Sequence, residues 1–130
     1  MPEIEKVIPI LVYGDIPQAH DFLVKAFGFG SGGVVRTPDG EAVHAEVRAG
    51  DHLIWLHRAS SEDNLAPARE MSAASSGLVV HVDDVDAHCE RARAHGAQIS
   101  SLPKDQPYGQ REYEARDPEG HRWWFATPNK

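Results

Sequence analysis

One supersecondary pattern occurs twice in this chain. Residues 7–12 form an apolar run that ends at Tyr13-Gly14-Asp15 and leads into a helical stretch. There Ile16, Ala19, Phe22, Leu23, Ala26 and Phe27 recur at the spacing of one helix face. Residues 78–82 form a second apolar run, which ends at Asp83-Asp84 and leads into Val85, Cys89, Ala92 and His95 at similar spacing. Asp15, and Asp83 or Asp84, stand where a side-chain oxygen caps the free N–H groups of a first turn. Gly28 and Gly96 stand just past the last turn, where glycine closes a helix. Three strand signals follow each helix: about 33–37, 41–49 and 52–58 in the first half, and about 97–102, 110–116 and 121–127 in the second. Turn residues Pro38-Asp39-Gly40 and Ala49-Gly50-Asp51 separate the first set. The unit is β-α-β-β-β, repeated at an offset of about 70 residues. The copies share little identity, so the constraint lies in the pattern. The predicted class is α+β in one domain, 1–130, with module 1 over about 5–58, a linker over about 59–76 and module 2 over about 77–128.

A chain of 130 residues buries a sizeable core without staples. Its single cysteine, Cys89, excludes an internal disulfide and a multi-cysteine metal site. The formal net charge of −7 argues against nucleic acid, which rewards clustered Lys and Arg, and against docking on anionic membrane. No apolar run approaches the roughly 20 residues of a spanning helix, and the start MPEIEKV lacks a secretory apolar region. A cytoplasmic protein with a small-molecule partner is expected.

The last hairpin carries the strongest local signal. Asp117-Pro118-Glu119-Gly120 places Pro where a turn needs φ near −65° and Gly where it needs φ above zero. The adjacent Trp123 and Trp124 of the following strand must face opposite sides of a sheet. With Trp123 and Phe125 packed under the helices, Arg122, Trp124 and Ala126 face the other way. In the first module Ile54 and Leu56 take the core side, and Leu53, Trp55 and His57 the opposite face.

Asp15-Ile16, Ala19, Phe22, Phe27-Gly28, Asp84-Val85, Gly96, Tyr108-Gly109, Arg111, Asp117-Pro118-Glu119-Gly120 and Trp123 together resemble the vicinal oxygen chelate superfamily. That group includes glyoxalase I, extradiol dioxygenases, fosfomycin-resistance transferases and bleomycin-resistance proteins. His44-Ala-Glu-Val after Pro38-Asp39-Gly40 looks most like the small bacterial bleomycin-resistance-like members. The resemblance covers essentially the whole chain. It implies a cupped mixed sheet, helices on its convex side and ligands in its concave cleft.

Metal-dependent relatives place ligands on the first and last strand of each module. Carried onto this chain, the first-strand positions counted back from Asp15 and Asp84 are Ile8 and Gly77. The last-strand position counted from Asp117 is Trp124, with its counterpart near Trp55. None offers the nitrogen or oxygen donor a divalent ion needs. The expectation is therefore no cofactor. A divalent metal enters only in the alternative, a glyoxalase-like lyase, isomerase or dioxygenase whose ligands shift to His44, Glu46, His81 and Glu114. Metal-free acid–base chemistry by a cleft histidine and Glu46 is a third possibility.

In the first reading Trp55 and Trp124 wall the cleft with flat aromatic surface suited to planar or cationic ligands, or else they fill a collapsed cleft or a subunit contact. The metal-free relatives that sequester aromatic antibiotics suggest binding by a homodimer. His44, His81, Arg122, Glu46, Tyr108 and Arg111 are the polar candidates. Arg111 and Arg122 have a competing use as ion-pair partners of Glu112 or Glu114. His20, His88 and His95 are expected on solvated helix faces, and His121 within its own hairpin. Residues 28–33 read as a mobile glycine loop, since they follow a helix and lack a phosphate-binding lysine. No activated nucleophile is evident: there is no serine elbow and no cysteine beside a base.

Overall fold

The computed structural model describes residues 2–129, and its elements follow the repeated pattern. Module 1 comprises β1 (Ile10–Tyr13), α1 (Ile16–Lys25), β2 (Gly30–Arg36), β3 (Ala42–Ala49) and β4 (His52–Arg58). Module 2 comprises β5 (Leu78–His81), α2 (Val85–Ala94), β6 (Gln98–Asp105), β7 (Gln110–Arg116) and β8 (Arg122–Pro128). Asp15 and Asp84 cap the helices, accepting from the backbone N–H of Gln18 at 3.0 Å and of Ala87 at 3.1 Å. Gly28 and Gly96 follow the helices with φ of +80° and +94°, values that glycine reaches without strain.

The strands form two four-stranded mixed sheets, ordered β1-β4-β3-β2 and β5-β8-β7-β6. In each, the first strand runs parallel to the last and the other pairs are antiparallel. Among the described residues no strand of one sheet pairs with a strand of the other, so β1 and β5 each keep an unpaired edge. The expected α+β duplication is present, with its sheet realised as two halves.

Two boundaries differ from expectation, for local reasons. Gly30 to Gly33 do not form a loop. They open β2, with a bulge between Ser31 and Val34, and a Cβ at Gly32 would overlap that of Glu46 on β3. Strand β6 continues past Leu102 through Pro103, which an edge strand tolerates because one side of its backbone needs no partner.

A single core spans both modules. Tyr13, Leu23, Val47, Leu56, Tyr113, Trp123 and Phe125 are fully buried in it. Phe27, just after α1, reaches across to the second sheet, with ring centroids 5.5 Å from Trp123 and 4.7 Å from Phe125. Burial of such rings is the largest favourable contribution available to a chain of this size.

Polar groups fasten the same seam. Tyr13 Oη donates to Asp117 Oδ2 at 2.5 Å, and Trp123 Nε1 donates to the same oxygen at 3.1 Å. The other Asp117 oxygen accepts from the backbone of Glu119 and His121. Glu119 accepts from the backbone N–H of Gly14 at 2.6 Å and Asp15 at 2.7 Å. His121 serves its own hairpin through its backbone, as expected, and its Nε2 also bonds the Val12 carbonyl at 2.8 Å. The Asp-Pro-Glu-Gly turn of module 2 thus grips the β1–α1 loop of module 1. Burial, reinforced by the Asp117 carboxylate, holds the Tyr13 phenol neutral far above its ordinary range.

Two helical histidines are likewise bonded inside the fold rather than solvated, His20 buried and His88 half-buried. His88 Nδ1 accepts from Tyr113 Oη at 2.6 Å, and its Nε2 donates to the Phe27 carbonyl at 2.7 Å, tying α2 to module 1. His20 is only 9% exposed and bonds Asp21 and Ser31.

Candidate functional site

Each helix packs on one face of its own sheet, and the opposite faces carry the tryptophans. Strand pairing makes these two faces equivalent. In module 1 Trp55 on β4 lies between Ile10 on β1 and Glu46 on β3. In module 2 Trp124 on β8 lies between Val79 on β5 and Glu114 on β7. The next row sets His57 between Val12 and His44, and Ala126 between His81 and Glu112. Each face therefore presents a half-buried indole flanked by an aliphatic residue and a carboxylate.

The two faces use these parts differently. Trp55 Nε1 donates to Glu46 Oε1 at 3.1 Å, and the His44 ring stands edge-on to the indole at 5.2 Å between centroids. The Trp55 N–H is thus satisfied, and the ring is fixed from its edge. On the second face Arg122 places its guanidinium carbon 4.8 Å from the Trp124 ring centroid and donates to Glu114. Tyr108, largely exposed, donates from its hydroxyl to the buried Glu112 beside the same surface.

His44, Glu46 and Trp55 come together on the first sheet, and Arg122, Trp124, Tyr108 and the two glutamates on the second. No hydrogen bond, ion pair or ring contact joins the two groups among the described residues. His81 is exposed at the free-edged β5, in the row beside Trp124 and along the groove described below, and among the described residues it makes no hydrogen bond or ring contact with either tryptophan group. Arg111 stands apart. It alternates along β7 with Glu112, which pairs with Ala126 on the Trp124 side, and forks onto Asp86 of α2 at 3.0 and 3.1 Å, with Asp105 as a third partner at 3.4 Å. Its guanidinium lies on the helix side, and the ion-pair use prevails.

Sequence reasoning missed one further feature. A groove of about 1320 Å³ runs between residues 48–54 of module 1 and 78–84 of module 2, floored by Phe27 and Phe29. The segments lining it are the equivalents of those locked together by Asp117, Glu119 and His121 at the other end of the seam. Short polar turns of this kind give no sequence signal for whether they meet.

The model of the Glyoxalase/Bleomycin resistance protein/Dioxygenase superfamily matches residues 5–125. The chain belongs to this superfamily. A Mycobacterium bovis relative, the uncharacterized protein Mb0911c, is 34% identical over 125 residues, covering 92% of this chain and 81% of the relative. Among solved structures, TioX from Micromonospora sp. ML1 is 32% identical, with a TM-score of 0.72 over 95% of this chain and 98% of TioX. TnmS3 from Streptomyces sp. CB03234, an antibiotic binding protein, is 25% identical, with a TM-score of 0.76 over 99% of this chain and 100% of TnmS3.

The metal used by some superfamily members does not fit the residues present. Ile8, Gly77, Trp55 and Trp124 supply no donor atoms, and the Trp124 ring fills the space a side chain at 77 would need. Among the described residues no group of three or more His, Cys, Asp or Glu side chains converges as a metal site. Glu46 and Glu114, the carboxylates of a shifted ligand set, are engaged by Trp55 and Arg122.

Proposed function

We propose that this protein binds a small, planar aromatic molecule against its two helix-free faces, without a metal, and sequesters it as bleomycin-resistance-like proteins do. The observation that carries this reading is the equivalence of Trp55 and Trp124, each paired across strands with a glutamate. Such faces attract flat rings by stacking and cationic groups by charge. Likeness to TioX and to an antibiotic binding protein, TnmS3, supports the same class of ligand.

Each face by itself is a half-site, open on one side. A homodimer that sets the first face of one copy against the second face of another encloses a ligand between two indoles and makes two equal sites. The unpaired edges of β1 and β5, with Ile10 and Val79 more than half exposed, support that assembly. In this role His44, Glu46, His81, Arg122 and Tyr108 orient the ligand, and the protein acts in the cytoplasm.

Titration with aromatic antibiotics is expected to quench tryptophan emission equally with and without EDTA. Trp124→Ala and Trp55→Ala each weaken binding at least tenfold, consistent with the roughly 1–3 kcal/mol of a stacked ring. Full affinity in Trp124→Ala removes that ring from the site. Stoichiometric Zn, Ni, Mn or Fe in the purified protein, lost in His81→Ala or His44→Ala, overturns the metal-free reading in favour of an enzyme. Light scattering on the eluting protein decides between monomer and dimer.

A further inference from the structure

We propose that Ser31, His20 and Asp21 form a second, hydrolytic site for small activated esters, on the helix side of the first sheet. His20 Nε2 lies 2.7 Å from Ser31 Oγ, and His20 Nδ1 lies 3.0 Å from Asp21 Oδ1. A carboxylate only accepts, so Nδ1 carries the imidazole proton and Nε2 presents its lone pair to the serine hydroxyl. The backbone N–H of Gly33 donates to Ser31 Oγ at 3.2 Å, which occupies an oxygen lone pair and leaves the hydroxyl proton directed at His20. Nucleophile, base and orienting carboxylate are therefore connected atom by atom in the order acyl transfer requires.

The surroundings suit that role. His20 is held among the α1 residues that pack on the sheet, whereas Ser31 is exposed on the edge strand β2. Ser31 pairs with the fully buried Val47, which places its hydroxyl on the helix side, away from Trp55. Gly32 and Gly33 follow it without side chains, and nothing lies within 4 Å of the point where a Cβ on Gly33 would stand. Ser31 is itself exposed, so its hydroxyl meets solvent. Ser31, His20 and Asp21 make no hydrogen bond or ring contact with Trp55, His44 or Glu46, so their chemistry is tested separately from the binding reading.

In the reaction, Ser31 Oγ adds to the acyl carbon as its proton passes to His20 Nε2. Collapse of the tetrahedral intermediate breaks the bond to the leaving oxygen, which takes the proton from His20. Water then adds to the acyl-serine, again giving its proton to His20, which returns one to Ser31 Oγ. The sum is ester plus water to acid plus alcohol. Asp21 is a positioning residue and is largely exposed, so water screens its charge. That restricts the substrate to esters with good leaving groups, such as phenyl esters, and excludes amides.

The test uses the full chain with p-nitrophenyl acetate and an alkyl fluorophosphonate, read by intact mass and peptide mapping. The expected result is one adduct, on Ser31, with ester turnover abolished in Ser31→Ala. His20→Gln slows labelling at least a hundredfold, the low end of the roughly 10²–10⁴-fold contribution of a general base. Because His20 is buried and its loss can disturb the fold, Asp21→Asn provides a second reading on an exposed residue. It is expected to shift the pH profile of labelling while near-ultraviolet circular dichroism stays unchanged. An adduct elsewhere, no adduct, or a Ser31 labelling rate indifferent to pH and to both substitutions overturns the proposal.

Discussion

The Trp124 ring occupies the space that any side chain at Gly77 would need. A Cβ built on Gly77 overlaps Trp124 Cζ3, and it stands 3.2 Å from Cε3 and 3.1 Å from the Arg122 carbonyl oxygen. Positions 77 and 124 are thus sterically coupled, one carrying a large ring and the other leaving the space that admits it. Restoring a ligand at 77 alone cannot restore a site.

The coupling is measurable. Gly77→Ala is expected to cost about 1–3 kcal/mol, the range of overpacking in a filled site. In a Trp124→Ala background the same change costs much less. Urea midpoints of the four proteins in the cycle give the interaction directly.

Asp117→Ala should be among the most damaging single changes. It removes the acceptor of Tyr13 Oη, Trp123 Nε1 and two backbone N–H groups, all at the seam between modules. Each buried donor left unpaired costs about 1–3 kcal/mol. The chain should lose cooperative unfolding or much of its melting temperature, whereas Tyr13→Phe, which removes one donor, costs only a fraction of that. Differential scanning calorimetry separates the two.

The strands and helices were legible because their causes are local. Alternation placed Trp123 and Phe125 on the buried side and Trp124 opposite, and the burial of these residues agrees. Asp15 and Asp84 cap their helices because the cap interaction spans only three residues. The side-chain partners of two histidines were not legible, for the complementary reason. His88 bonds Phe27 at 61 positions' separation, and His121 bonds Val12 at 109. Helical periodicity along α2 cannot register a carbonyl presented by the other module. The tryptophan faces were read correctly strand by strand, yet their division between two sheets depends on how modules pack, which no local pattern encodes.

His88 predicts a pH dependence. Its burial lowers the folded-state pKa below the ordinary 6.5, outweighing the Phe27 carbonyl, while Arg91 adds to the depression. A neutral imidazole is what the fold requires, so this stabilisation is complete above about pH 6.5 and declines as pH falls through the folded value. Melting temperatures between pH 8 and pH 5 should therefore drop more steeply in the parent than in His88→Gln. Equal slopes would show that His88 does not govern the joint.

Arg111→Ala should leave ligand binding unchanged. Its partners Asp86 and Asp105 are exposed on the helix side, where water and salt screen the pairs and their contribution to stability is small. The same titration that reports Trp124→Ala serves as the check.

The seam between modules is closed at one end and open at the other. Tyr13, Asp117, Glu119 and His121 pin the first end, and residues 48–54 and 78–84 leave the groove at the second. The groove end is not loose, however: His88 Nε2 reaches the Phe27 carbonyl at 2.7 Å and Arg91 Nε donates to the Lys25 carbonyl at 3.0 Å, both across the seam. A molecule seated in the groove therefore lies against two backbone tethers and the edge of the shared aromatic core, so its binding is read out by the same bonds that join the modules.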